Sequence, residues 1–332
     1  MSTAFQLDAA PAWPLTFEDV EAARERLSPY LTITPLRHYL LLDALMPGDT
    51  SLLVKHENHQ PTCSFKVRNG LSVITGMEPE ERARGVVAAS TGNHGQGIAY
   101  AASLLGVRAT ICVPEGNNPE KNAAMRALGA EVHENGRDFD EAREYVERLA
   151  AERGLRYVHS ANEPHLIAGV ATYALELFEE APDTEVVLVP IGGGSGACGC
   201  ALVRTLLGRP AEIIGVQAAG ADAVARSWRT GTRVVGDRAA TFAEGMATRV
   251  TFDLTFGILR ELLDDIVTLT EDELEEGVRL ALRTTHNLAE GAGAASLAAA
   301  VKLRDRLRGK KVVCVMSGGN IDQGTLARIL AG

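Results

Sequence analysis

Short, continuously apolar runs alternate with longer segments of helical period along most of this chain. Gly85-Val86-Val87-Ala88-Ala89, Ala109-Thr110-Ile111-Cys112-Val113, Glu131-Val132-His133 and Glu185-Val186-Val187-Leu188-Val189-Pro190 have the length and composition of buried strands. Glu212-Ile213-Ile214-Gly215-Val216, Asp265-Ile266-Val267-Thr268-Leu269 and Lys311-Val312-Val313-Cys314-Val315-Met316 continue the series, and Ser51-Leu52-Leu53-Val54 precedes it. Between them, Gly95 to Leu105, Lys121 to Leu128 and Phe139 to Arg153 read as helices. Thr16-Phe17-Glu18-Asp19-Val20 opens another, with a capping threonine and acids in its first turn, running to Leu27 before Thr34-Pro35-Leu36. The alanine-rich run Ala294 to Val301 reads as a tightly packed helix. Strands that are apolar throughout and separated by helices predict mainly parallel sheets covered on both faces, an α/β fold. Residues 85–158 hold three or four strand–helix repeats of their own. A small α/β domain is expected there, with 1–84 and 159–332 forming the larger one.

Composition adds exclusions. A hydrophobic content of 46% and a charged content of 23% over 332 residues are ordinary for a globular protein. A net charge of −10 argues against a nucleic-acid surface or an anionic membrane as partner. The acidic runs Glu78-Pro79-Glu80-Glu81 and Thr270-Glu271-Asp272-Glu273 read as solvated helix starts. Five cysteines without zinc-knuckle or redox spacing, and no signal-like segment in Met1–Asp8, give a cytoplasmic location as the expectation. Cys112 and Cys314 lie in strand-like runs and read as core.

Four stretches at strand ends carry candidate chemistry. The first runs from Lys55 through Pro61-Thr62-Cys63-Ser64-Phe65-Lys66-Val67-Arg68-Asn69-Gly70. A lysine held out of water there loses its ammonium proton readily and becomes a nucleophile. The second, Ile191-Gly192-Gly193-Gly194-Ser195-Gly196, lets backbone amides approach a phosphate and precedes a helix start. A dinucleotide reading of Gly194-Ser195-Gly196-Ala197-Cys198-Gly199 competes with it. That reading needs an acid at the end of the next strand, where this chain has Gln217-Ala218-Ala219. The third, Ser90-Thr91-Gly92-Asn93-His94-Gly95, either holds a carboxylate or supplies a plain helix cap. The fourth is Met316-Ser317-Gly318-Gly319-Asn320. Ligands gather at the carboxyl ends of strands in such sheets, and all four stretches lie there. Lys66 is therefore read as the residue that forms an imine with pyridoxal phosphate.

Those residues resemble the pyridoxal-phosphate enzymes of fold type II, the tryptophan-synthase-β-like group, and in particular the threonine/serine dehydratases and their serine-racemase relatives. Pro61–Asn69 resembles the family pattern P-T-G-S-F-K-x-R-G, Ser90–His94 its S-x-G-N-H loop, and Ser317–Asn320 its S-G-G-N loop. The likeness runs from Thr34 to Asn320. It implies two three-layer α/β domains and pyridoxal 5'-phosphate as cofactor. It also implies that Lys66 carries the cofactor and later acts as base at Cα, with Phe65 packing beside the ring. Asn93 would bind the ring oxygen, Gly192, Gly193, Gly194, Ser195 and Gly196 the phosphate, and Ser317 the pyridine nitrogen. Glu290 would lie near the ring, and Ser90, Thr91, Gly92 and His94 around the substrate carboxylate.

The implied reaction removes water from a β-hydroxy amino acid and releases a 2-oxo acid and ammonia. A serine or hydroxyaspartate racemase is the alternative, and a nicotinamide-dependent oxidoreductase a more distant one. Cys63 and Asn69 stand where the family usually has glycine, and Thr91 where racemases have a serine. Gln217 and Ala223 replace the metal-binding acids of racemase relatives, so no metal site is expected. At this length the regulatory domain of biosynthetic threonine enzymes is not expected, and the family's habit implies a homodimer.

Overall fold

A computed structural model describes residues 13–332; the opening Met1–Asp8, read above for a targeting signal, lies outside the described residues. Among the described residues ten strands form two sheets: β1 (Leu36–His38), β2 (Ser51–His56), β3 (Val86–Ala89), β4 (Ala109–Val113), β5 (Glu131–Glu134), β6 (Arg156–Tyr157), β7 (Val186–Pro190), β8 (Glu212–Ala218), β9 (Asp265–Leu269) and β10 (Lys311–Met316). The larger sheet has the order β1-β2-β10-β7-β8-β9 and the smaller β5-β4-β3-β6. Of these strands only β1 runs antiparallel to its neighbour. Every residue of β3 and β4 is buried, as expected for strands covered by helices on both faces. Cys112 and Cys314 lie in the core. The mainly parallel α/β fold expected of a fold-type II enzyme is the one observed. Among the described residues no helix is long and apolar enough to cross a membrane.

Capping chemistry sets several helix starts. Thr16 and Asp19 close a capping box on Phe17–Leu27, and Thr270 and Glu273 do the same on Glu271–Leu280. Two elements depart from the pattern. Pro164–Glu180 is a 17-residue helix that no amphipathic stripe announces, because Leu166 through Phe178 are buried without a break. Strand β2 continues two residues past Val54, through Lys55 and His56, both fully buried.

A closed set of charges explains how Lys55 can enter a strand. Its Nζ donates to Glu176 Oε2 at 2.6 Å and to the Thr34 carbonyl at 2.8 Å. Arg68 donates through Nε and Nη2 to both oxygens of Glu57, at 2.8 and 2.9 Å. It also donates through Nη1 and Nη2 to both oxygens of Glu176, at 2.7 and 2.9 Å. Thr34 and Thr172 complete the shell. Two cations meet two carboxylates, so the cluster is neutral. Burial disfavours the Arg68 charge, but Glu57 and Glu176 outweigh it and raise the guanidinium above its ordinary value. The cluster joins β2, the turn after it, the helix Lys66–Gly76 and the helix Pro164–Glu180. The helix that begins at Lys66 also crosses Asn93–Leu104 closely: a side chain at Gly97 would place its Cβ 2.3 Å from the Lys66 carbonyl oxygen.

Removing one member leaves the rest as uncompensated buried charge. Arg68→Met is expected to cost about 3–5 kcal/mol of unfolding free energy, measured by urea titration. A loss below about 1 kcal/mol would show that the cluster is not what secures this helix.

Candidate active site

The lysine loop is stitched to the loop after β10. Ser64 forms an antiparallel bridge with Gly318, the Phe65 N–H donates to the Ser317 carbonyl at 3.1 Å, and the Gly319 N–H donates to the Cys63 carbonyl at 2.8 Å. Cys63 adopts φ +52°, the left-handed region that glycine enters freely, which accounts for the family's glycine there. The chain then turns directly into the helix that begins at Lys66. Since β2 and β10 are parallel neighbours, both loops leave the same edge of the sheet.

One cavity of about 500 Å³ opens at this edge, a volume within the range of small-molecule sites. Phe65, Lys66, Ser90, Thr91, Gly92, Asn93, His94, Gly192, Gly193, Gly194, Ser195, Gly196, Glu290 and Ser317 all line it. The four stretches flagged in the sequence, together with Glu290, are thus brought together. Gly192–Gly194 lead into the helix Ser195–Leu206, whose first-turn amides have no partner within the helix. A Cβ on Gly192 would meet the Gly245 carbonyl oxygen at 2.1 Å, and Gly194 sits at φ +94°. Both positions therefore require glycine.

Lys66 is partly buried and has no carboxylate partner among the described residues. Its Nζ contacts only the neutral Ser160 carbonyl and Ser195 Oγ, each at 3.4 Å, and lies 5.0 Å from the Phe65 ring centroid. Burial pulls its pKa down to about 8. Asn320 Nδ2 donates to Asn93 Oδ1 at 2.8 Å and to the Thr62 carbonyl at 2.9 Å, so Asn93 Nδ2 faces Glu290 Oε1, at 2.6 Å. Burial pushes Glu290 up to about 7. Ser90 Oγ accepts the N–H groups of Gly92 and Gly95 at 3.1 and 2.8 Å, so it braces its own loop. Thr91 fixes the loop from the other side, its carbonyl accepting from Asn117. His94 Nε2 donates to the Val158 carbonyl at 3.3 Å, and burial holds the ring down to about 3. A neutral ring donating through Nε2 offers a lone pair at Nδ1, which has no partner among the described residues.

Sequence reasoning missed the ion pair across the cavity mouth. Lys121 Nζ donates to Glu244 Oε2 at 2.5 Å, linking the helix Pro119–Ala127 to the 3-10 turn Glu244–Met246. The aliphatic part of Lys121 lies against Gly92. It also missed Phe252, which lines the mouth with its ring edge-on to His159 at 4.7 Å. Nothing local marks these residues. At the position of the racemase metal ligand, Gln217 Oε1 accepts from the Ala225 N–H at 2.9 Å.

These features fit pyridoxal phosphate: a glycine cradle that side chains would fill, and beside it an amine that no carboxylate neutralises. A nicotinamide dinucleotide fits less well, because β8 ends without the acid that would hold a ribose.

Glu290 generates a pH test. Its folded pKa lies above the ordinary value of 4.5, so the folded chain binds more protons than the unfolded one between about pH 4.5 and 7. This contribution is complete below pH 4.5 and is lost as pH rises through 7. One pKa unit is about 1.4 kcal/mol, so roughly 3 kcal/mol is involved. Glu290→Gln, followed by urea unfolding of the cofactor-free chain at about pH 5 and about pH 7.5, should remove that slope relative to wild type. An unchanged difference between the two pH values would contradict the burial argument.

Comparison with known proteins agrees with the geometry. The family model described as pyridoxal-phosphate dependent enzyme matches residues 27–318. The L-threonine ammonia-lyase of Thermotoga maritima is 38% identical over 316 residues, covering 95% of this chain and 78% of that protein. A crystal structure of a T.th. threonine deaminase superposes with a TM-score of 0.87 at 37% identity, covering 93% of this chain and 99% of that one. Maize serine racemase superposes with a TM-score of 0.90 at 27% identity, covering 96% and 98%. With a cavity built around one unpaired lysine, and a family match spanning most of its length, this chain belongs to the pyridoxal-phosphate-dependent enzymes.

Proposed function

We propose that the protein is an ammonia-lyase for β-hydroxy amino acids, with threonine and serine as its substrate class. The observation that carries this reading is Lys66, an amine without an ion-pair partner beside the glycine loop, in a chain 38% identical to an L-threonine ammonia-lyase. When bound, pyridoxal phosphate supplies an electron sink conjugated to the substrate Cα. Gly192–Gly196 would hold its phosphate through backbone amides and the helix end behind them. Asn93, oriented by Asn320 and Glu290, would donate to the ring oxygen, Phe65 would pack beside the ring, and Ser317 would meet the ring nitrogen. A serine does not fix a proton there as an aspartate would, which favours prompt elimination.

Lys66 takes the Cα proton, and its low pKa suits a base working near neutrality. The β-hydroxyl then leaves as water, and hydrolysis of the eliminated product gives a 2-oxo acid and ammonia. The Ser90–His94 loop holds the substrate carboxylate through amides at the helix start, with Ser90 keeping the loop in shape. His94 remains neutral and contributes an acceptor at Nδ1. Residues 85–158 serve as a smaller domain facing the rest, and the Lys121–Glu244 pair fastens the two across the mouth. The exposed Leu40, Leu41, Leu45 and Leu288 suit a homodimer contact, and a cytoplasmic location fits the free thiols.

Racemisation on the same scaffold needs a second proton donor, and Thr91, among the hydroxyls that line the cavity, stands where racemases have a serine. A panel of L-threonine, L-serine, an aryl-serine and 3-hydroxyaspartate separates the readings. Release of 2-oxo acid should exceed D-enantiomer formation for at least one of them, and Lys66→Ala should lower kcat by about 10³-fold or more. D-enantiomer formation outpacing oxo-acid release for every substrate would replace the lyase reading with the racemase one.

A further inference from the structure

A second cleft, of about 340 Å³, lies at the opposite end of the smaller sheet, where β3 and β4 begin. Arg84, Arg108 and Arg153 converge on it, with Val86, Ala109 and Leu155 among its apolar lining. The rim is fastened rather than loose. The Val86 N–H donates to the Arg108 carbonyl at 2.8 Å, Arg108 Nη2 donates to the Arg84 carbonyl at 3.2 Å, and the Arg156 N–H donates to the Gly85 carbonyl at 3.0 Å. None of the three guanidinium groups is paired with a carboxylate among the described residues, although most other arginines of the chain are. Glu131 is the acidic member of the lining; His133 engages it at 2.7 Å, and the charge of Arg153 acts on it as well without forming an ion pair.

Arg84 and Arg153 each end a helix, where a cation is favoured by about 0.3–1 kcal/mol. That accounts for each separately but not for their meeting Arg108 around one cleft. In a chain of net charge −10, three cations against one carboxylate form a local excess of positive charge. Guanidinium forks match pairs of anionic oxygens. We propose that this cleft binds a compact polyanion, a pyrophosphate-like or polycarboxylate group carrying two or more negative charges, at a site separate from the catalytic cavity and independent of the reaction assigned to it.

Calorimetric titration of the holoenzyme at low ionic strength, with sodium pyrophosphate and separately with citrate, tests this. The cofactor phosphate then occupies the glycine cradle, so that loop does not compete. One saturable site is expected, weakened at least about tenfold in the Arg84→Gln/Arg153→Gln double variant, with turnover in the absence of anion unchanged. Glu131→Gln should tighten binding by about fivefold, since it removes the opposing charge. Pyrophosphate binding more tightly than citrate assigns a phosphate ligand, and the reverse a polycarboxylate; either supports the site. No saturable binding of either anion, equal affinity in the double variant, or weaker binding in Glu131→Gln would overturn it.

Discussion

Lys55 and Lys66 are both withdrawn from bulk water, and the difference between them organises the molecule. Lys55 ends in a neutral cluster with Arg68, Glu57 and Glu176, where its Nζ donates to two oxygens and each guanidinium nitrogen of Arg68 donates to at least one. Lys66 ends beside two neutral oxygens at 3.4 Å and no carboxylate. The first arrangement offsets its desolvation by pairing; the second has nothing to offset it, which disfavours the ammonium and pulls the pKa down to about 8. Arg68, two positions beyond Lys66 on the same helix, ties the start of that helix to the turn after β2 and to Pro164–Glu180. The satisfied cluster thereby holds the unsatisfied amine in place, and a site that would relax if mobile stays poised.

The second constraint is the sheet edge. Parallel pairing of β2, β10, β7 and β8 brings their carboxyl ends to one side, and β3 contributes its own end from the smaller sheet. Loops far apart in sequence then meet without long excursions. The Ser64–Gly318 bridge and the Asn320–Asn93–Glu290 chain of hydrogen bonds lock three of them into one wall. Turn-forming residues in those loops let the backbone come close to the cavity, where amides suit an anion.

Much of this is readable from the sequence because the chemistry is local. Strands β3, β4, β7, β9 and β10 are largely apolar and bounded by turn residues, so periodicity locates them. The cavity residues named from the sequence fall within four short motifs, with Glu290 supplied by the family resemblance. What escapes such a reading depends on partners distant in sequence. Lys55 looks like the start of a polar loop until Glu176 is brought to it, and β2 therefore reads as stopping at Val54. Pro164–Glu180 carries no polar face for most of its length, so it lacks the stripe that marks a helix. Lys121 meets Glu244 only through the tertiary fold. Strands as short as β1 and β6 give too few residues for any period to register.

The central claim is that one side chain, Lys66, is held without an ion-pair partner, facing the glycine cradle. Its most direct test is reduction of the pyridoxal-phosphate-loaded protein with borohydride, followed by peptide mass mapping. The account predicts a single pyridoxyl adduct, on the peptide that contains Lys66. An adduct on Lys55, Lys121 or any other lysine, or a protein that takes up no cofactor at all, would contradict it.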